Sequence, residues 1–555
     1  MSQRYCNNTQ RKYYEKLWFA ILLNAAVLLV LLIIFRPEYD TNDDFGLCNI
    51  VNGSKGSFDA HIVYSNYLLG LIYVGLYKIT CAVPWYPVMH YAVLFSSYTA
   101  ISYVLINKLK HSSAVWIVAA MMPFAAYEGY IAIQFTRTAG FATAGGLMLM
   151  FWVFCSDNES GRWKLAQIVA GIVIAIFGFM YRESQFLAVA GIMSAIGIMV
   201  LLGRPKRIIA LICAFLVLFG TVGLLMVFDK KAYTSDEWQD YREYNRARSQ
   251  LYDHGFPEYE QYQEGYEKLG INANAKNFYR QWNHVDLDGK TMIEISCWNK
   301  EDEREINSDY VKDFIRTMTK GYMAKPIFYV FLATVIMWLF FGKKNWISIV
   351  GIAYAAAVAA GLNWYMFSMA RFLKDRVDVG IIVAAMLVVL WTFKNSKPLF
   401  NNIVGGIAIV IGFALLLYAW NDSFRWNQEE KDISIADKRL VAEEIAQDKE
   451  HLYLNKAVGF SYSDAYDVFD RIPQGVSENV FTLGGWTCGM PANREKLDKF
   501  GISNVYEDSI GNGKVYIIDK DINTTIKYIN DYYNSDARAE YVRNIGSYPI
   551  YRLVK

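Results

Sequence analysis

Long apolar blocks alternating with short charged joints organise this chain. The first block, Leu17 to Phe35, is long enough to cross a bilayer core and follows a basic head with Arg4, Arg11, Lys12 and Lys16. No small-residue cleavage site follows it, so it reads as a retained span rather than a removed signal peptide. Ten further blocks run Val88–Ile106, Ala114–Tyr127, Ala139–Phe154, Leu165–Met180, Phe186–Leu202, Ile208–Phe228, Pro326–Phe341, Trp346–Leu362, Val377–Trp391 and Ile403–Trp420. Basic joints recur at every second junction: Lys108-Leu109-Lys110-His111, Arg162-Trp163-Lys164, Arg204-Pro205-Lys206-Arg207, Lys343-Lys344 and Lys394 to Lys397. The positive-inside rule places them, with the N-terminus, on the cytoplasmic side. That assignment closes only if His61–Ile79, rich in Tyr and Gly, lies at the outer interface instead of crossing. The pattern therefore predicts a polytopic α-helical membrane protein with eleven spans, N-terminus inside and C-terminus outside.

Two hydrophilic stretches remain, both expected outside: a loop over about 229–325 and a tail over 421–555. In the tail, Ile435–Asp448 and Ile522–Tyr533 read as helices, and Lys514–Ile518 and Tyr548–Val554 as strands. A soluble α/β domain beyond a membrane region of 1–420 follows from this, with a first external loop at about 37–85.

Composition narrows the class. Of 555 residues, 54% are hydrophobic and 16% aromatic, too apolar for an ordinary soluble chain. A net charge of +2 provides no global field for nucleic acid, and the 40 Tyr and 15 Trp suit interfacial belts. Seven cysteines show neither zinc-type nor redox-type spacing, and six scattered His argue against a His-based metal centre. No nucleotide-type glycine loop and no Gly-x-Ser-x-Gly elbow is present. Ala144-Gly145-Gly146 and Gly405-Gly406 sit in spans, where small residues allow close helix packing.

The first external loop holds the main candidate chemistry, the adjacent acids Asp43 and Asp44. Spacing alone favours an ordinary solvated pair, because acids in a loop pay no desolvation cost. A close carboxylate pair can also raise one pKa and supply a general base, or hold a divalent cation through oxygen ligands. Asp59 and His61 open the interface segment that follows. At the outer span ends stand Glu128, Arg137, Arg182, Arg371, Lys374 and Arg376. Taken singly these suit snorkelling caps or ion pairs. Together the cations suit a phosphate or diphosphate headgroup, since Arg offers a forked donor and Lys a point charge.

Asn42-Asp43-Asp44-Phe45 just past an N-in first span, the segment Asp59–Ile79 and then Pro84-Trp85-Tyr86-Pro87 resemble the GT-C glycosyltransferases. Within them the chain looks like the enzymes that use polyprenyl-phosphate sugars, such as the protein mannosyltransferases and the bacterial aminoarabinose lipid A transferase. The specific likeness is short, Asp40 to Pro87. It implies that Asp43 is the base that deprotonates the acceptor and Asp44 its partner. It implies a polyprenyl-phosphate sugar donor and a glycan, lipid or protein acceptor, in a bacterial plasma membrane with the site facing outside. Glu128 stands near a second acidic site of some members. The chain departs from the lipid A enzyme at Asp59-Ala60-His61, where that enzyme has a Lys, so the donor phosphate must be held from elsewhere. The competing expectation is a transporter or flippase for a lipid-linked sugar, although no inverted repeat is visible.

Overall fold

The computed structural model describes residues 12–110, 112–156, 160–298, 306–369, 375–393, 400–456 and 459–555. Among these, nine helices are long and apolar enough to cross a membrane: Leu17–Ile34, Trp85–Leu109, Ser112–Ile131, Phe135–Cys155, Gly161–Tyr181, Glu183–Gly203, Pro205–Ala232, Trp346–Ser368 and Asn402–Ala419. The blocks at Pro326–Phe341 and Val377–Trp391 also form helices, shorter ones of 16 and 17 residues. The former meets the preceding helix, Ser308–Met323, at 98°.

Phe135–Cys155 is the axis of the bundle, buried along all but its last residue. Its small residues let neighbours approach to backbone contact. A Cβ on Gly146 would stand 2.5 Å from the Gly171 carbonyl, and one on Gly145 2.8 Å from that of Ser97. Gly405 packs against Trp116, whereas Gly406 faces open space. Outlying helices instead turn apolar side chains outward, among them Leu29, Ile33, Ile403 and Val410. That inversion of the soluble pattern suits a lipid surround.

Within the His61–Ile79 segment, the helix spans Tyr67–Ile79. Thirteen residues extend only about 20 Å, short of the roughly 30 Å hydrocarbon core. The Asn66 side chain caps it by accepting the Leu68 N–H. Gly70 lies against the Ala60 carbonyl with no room for a Cβ.

Strands β1 (Glu38–Tyr39) and β2 (Ala132–Ile133) pair in parallel and clamp the first loop to the turn between two spans. The tail adds β3 (Leu452–Asn455), β4 (Val480–Thr482), β5 (Val515–Ile518), β6 (Arg538–Ile545) and β7 (Tyr548–Val554). Their order is β4-β3-β5-β7-β6, parallel among the first three and antiparallel thereafter. Helices cover Ile522–Tyr532, where the sequence pattern placed one, and Glu429–Gln447, which starts ahead of the expected Ile435.

The loop and the tail form one polar unit. Leu251, Phe278, Met292 and Ile295 of the loop share a core with Leu452, Ile517, Tyr528 and Leu553 of the tail. This unit docks on the first loop through backbone bonds, Gly475 N–H to the Gly53 carbonyl and Ser477 N–H to that of Ser54, each 2.9 Å. Gly53 turns with φ +80°, a conformation that favours glycine. Arg36 adds ion pairs to Asp432 and Asp467.

Candidate functional site

Asp43 and Asp44 open the helix Asn42–Val51. Carboxylates in a first helical turn face unsatisfied N–H groups and the positive end of the helix dipole. Consecutive helical residues point about 100° apart, so the two acids meet different surroundings. Asp44 turns inward and is fully buried. Its Oδ1 accepts the Tyr86 hydroxyl and the Phe135 N–H, both at 3.0 Å. Burial pushes the Asp44 carboxyl well above the usual carboxylate range; the two donors oppose this and the neighbouring Asp43 adds to it. Asp43 stays about one-fifth exposed and faces Arg376, Oδ2 to Nη1 3.6 Å. Trp486 of the polar unit covers the same helix, where a Cβ on Gly46 would stand 2.7 Å from its ring.

Residues of the first loop on either side of this helix in sequence line two cavities. The first, of about 380 Å³, is lined by Asp40, Glu128, Arg137, Lys325 and Asp375, with Tyr127 and Trp420 beside them. The Tyr127 and Trp420 rings stack with centroids 3.9 Å apart. Arg137 bridges Glu128 at 3.4 Å and Asp40 at 3.3 Å, and donates to the Ala132 carbonyl at 3.0 Å. Its Nε, also buried, has no hydrogen-bond partner among the described residues. Glu128 lies in a π-helical turn, Tyr127–Ile131, held by the β1–β2 pairing. Across the cavity, Lys325 pairs with Asp375 at 3.0 Å and Asp378 at 2.9 Å.

The second cavity, about 930 Å³, joins two surfaces of opposite character. Phe179, Leu187, Met226 and Val227 supply apolar walls, and Arg182, Lys230 and Arg242 a charged rim that they share with Glu183, Asp229 and Glu243. The Arg182 guanidinium lies over Tyr64, 5.5 Å from its ring, and donates to the Tyr64 carbonyl at 3.2 Å. Asp43 itself lines neither cavity: it faces Arg376, whose neighbour Asp375 lines the first, and its charge is felt by Tyr64, which lines the second.

The expected residues thus divide. Asp43, Asp44, Glu128, Arg137, Arg182 and Arg376 converge on this region. Arg371 and Lys374 lie outside the described residues. Asp59 and His61 stand apart from the acid pair. The His61 ring bonds Asp59 at 2.5 Å and the Ala232 carbonyl at 3.2 Å, and stacks on Trp238. Burial works against the Asp59 carboxylate, but the bonds and charge of His61 hold it below its ordinary range. This pair braces the wall of the second cavity through Tyr233. Sequence reasoning passed over Lys325, Asp378 and Arg242, and quoted Tyr86 only within a motif, with no role of its own. Asp378 had a legible signal, an acid inside an apolar block.

No family model, curated protein or solved structure matches this chain. Its chemistry must therefore be argued from the geometry. Among the described residues, no group of three or more His, Cys, Asp or Glu is placed to hold a metal ion.

Proposed function

We propose that this protein is a membrane glycosyltransferase of GT-C type, moving a sugar from a polyprenyl-phosphate donor to a cell-envelope acceptor on the outer face of a bacterial plasma membrane. The observation that carries the reading is Asp43: a partly open carboxylate facing Arg376, on a first loop whose neighbouring residues line a polar cavity on one side and an apolar-walled cavity of mixed charge on the other. The topology behind it has eleven spans, counting the shorter helices Pro326–Phe341 and Asp375–Trp391, with the basic joints inside.

The lipid phosphate lies at the rim of Arg182, Lys230 and Arg242, its chain along Phe179 and Met226. The acceptor hydroxyl approaches from the polar cavity, past the Tyr127–Trp420 stack. Asp43 takes the hydroxyl proton while the acceptor oxygen bonds to the anomeric carbon from the face opposite the phosphate. The sugar–phosphate bond breaks, its electron pair leaves with the phosphate oxygen, and the configuration inverts. The cations stabilise that developing charge. Buried Asp44, tied to Tyr86 and Phe135, fixes the helix that carries the base.

The test is incubation of the purified protein in lipid with labelled polyprenyl-phosphate sugars, reading free polyprenyl phosphate and glycosylated acceptor together. Asp43→Asn keeps shape and lowers the rate by roughly 10²–10⁴-fold, the usual worth of a general base. Full activity in that variant removes Asp43 from the role. Movement of the intact donor across the membrane without its cleavage makes the protein a flippase.

A further inference from the structure

The helix Ser308–Met323 has a surface that neither the bundle nor the polar unit covers. Its N-terminus is capped by the Asn307 side chain, which accepts the Asp309 and Tyr310 N–H groups. One flank packs on the end of the span Trp346–Ser368. Tyr310 and Phe314 meet Trp364 and Phe367 edge-on at 5.1–5.6 Å, and the Tyr322 hydroxyl donates to Asn363 at 2.8 Å. Next to that flank, Val311 and Ile315 form an exposed apolar stripe, Ile315 at 57% exposure, and Met323 ends the helix exposed at 53%. One residue further round the helix, at four-residue spacing, come Lys312, Arg316 and Lys320. Lys312 pairs with Asp309 at 2.8 Å. Arg316 and Lys320 have no acidic partner among the described residues, and Asp313 stands on the face opposite Ile315.

We infer that Ser308–Met323 is an arm lying in the lipid–water interface, with Val311 and Ile315 among the acyl chains and Arg316 and Lys320 on headgroup phosphates. Three observations carry this together. The helix leaves the apolar helix Pro326–Phe341 at 98°, so if that helix crosses the bilayer the arm runs along the surface. It packs on the terminal residues of a second span, which sets its depth at the membrane boundary. Its exposed side pairs an apolar stripe with adjoining cations, the pattern of a helix seated between acyl chains and headgroups. The arm ends at Lys325, which holds Asp375 and Asp378 beside the Arg376 that faces Asp43. Its seating is thereby linked to the site, although the inference requires no glycosyl transfer.

Spin labels read the seating directly. With Cys6, Cys213 and Cys297 changed to Ser, labels are placed at Ile315→Cys and, on the opposite face, Asp313→Cys. The protein is reconstituted in vesicles of phosphatidylcholine, with or without phosphatidylglycerol. The label at 315 collides mainly with oxygen and the label at 313 mainly with a water-soluble nickel chelate. Phosphatidylglycerol deepens the 315 label, since each cation at an anionic surface contributes roughly a fivefold preference. Arg316→Glu with Lys320→Glu reverses that deepening. Equal water access at the two positions overturns the inference, as does a 315 label shielded from both reagents, which would mean a protein partner covers the stripe. Neither readout depends on transfer, so the proposed activity stands or falls separately.

Discussion

Replacing Asp44 tests whether the two acids really have separate jobs. Asp44→Ala removes the acceptor of the Tyr86 hydroxyl and the Phe135 N–H, both bonded at 3.0 Å in a fully buried setting. Each stranded donor costs about 1–3 kcal/mol, so the variant loses about 2–6 kcal/mol before relaxation. Asp44→Asn keeps an oxygen that can accept both bonds and carries no charge to bury, so it stays close to wild type. The comparison also has a pH signature. Burial holds the Asp44 carboxyl above 3.8, so above that pH the unfolded chain loses a proton that the folded chain keeps. That contribution to stability is full below 3.8 and is lost as pH rises through the folded pKa. The Asn variant has no such loss, and its advantage over wild type grows with pH across that window. Denaturant titration of the three proteins in detergent micelles, followed by Trp fluorescence at several pH values, measures both effects. An Ala variant as stable as wild type, or an Asn variant as damaged as Ala, would refute the buried-anchor role.

Arg137→Ala strands Glu128, only 7% exposed, and should cost about 3–5 kcal/mol in the same titration; adding Glu128→Gln should recover part of it. Gly70→Ala forces a Cβ onto the Ala60 carbonyl, so the helix Tyr67–Ile79 must lift, at about 1–3 kcal/mol or more. Hydrogen exchange should rise over that helix first, and unchanged protection there counts against the contact. Lys496 is buried beneath the Ser477 and Val480 carbonyls, and burial, aided by the charge of Lys55, pulls it from 10.5 to about 7. Between those values the unfolded chain holds a proton that the folded chain has released, so this group's share of stability rises with pH over that window. Lys496→Met should flatten the slope of midpoint against pH, and an unchanged slope would show that Lys496 is not its source.

Much of the architecture is legible because its causes are local. Every apolar block in the sequence became a helix, since a chain leaving water for lipid must satisfy its own backbone bonds. Lys514–Ile518 and Tyr548–Val554 were legible as strands from their β-branched and aromatic runs. The strands that escaped notice had weaker local signals. Leu452–Asn455 and Val480–Thr482 are very short, and Arg538–Ile545 is a largely exposed, polar edge strand that only its pairing with β7 defines.

The candidate site divides in the same way. Sequence alone determined that two acids follow the first apolar block and that cations gather at alternate span ends, because both are matters of order along the chain. Only the tertiary structure decided that Asp44 faces a buried tyrosine while Asp43 faces an arginine. It also decided that Glu128 and Arg137 join Asp40 across the β1–β2 pair, and that Asp59 and His61 brace a wall instead. Loop and tail likewise merge into one core that no local pattern announces. These outcomes hang on contacts between residues far apart in sequence, whose energies come from burial and pairing once the chain has closed on itself.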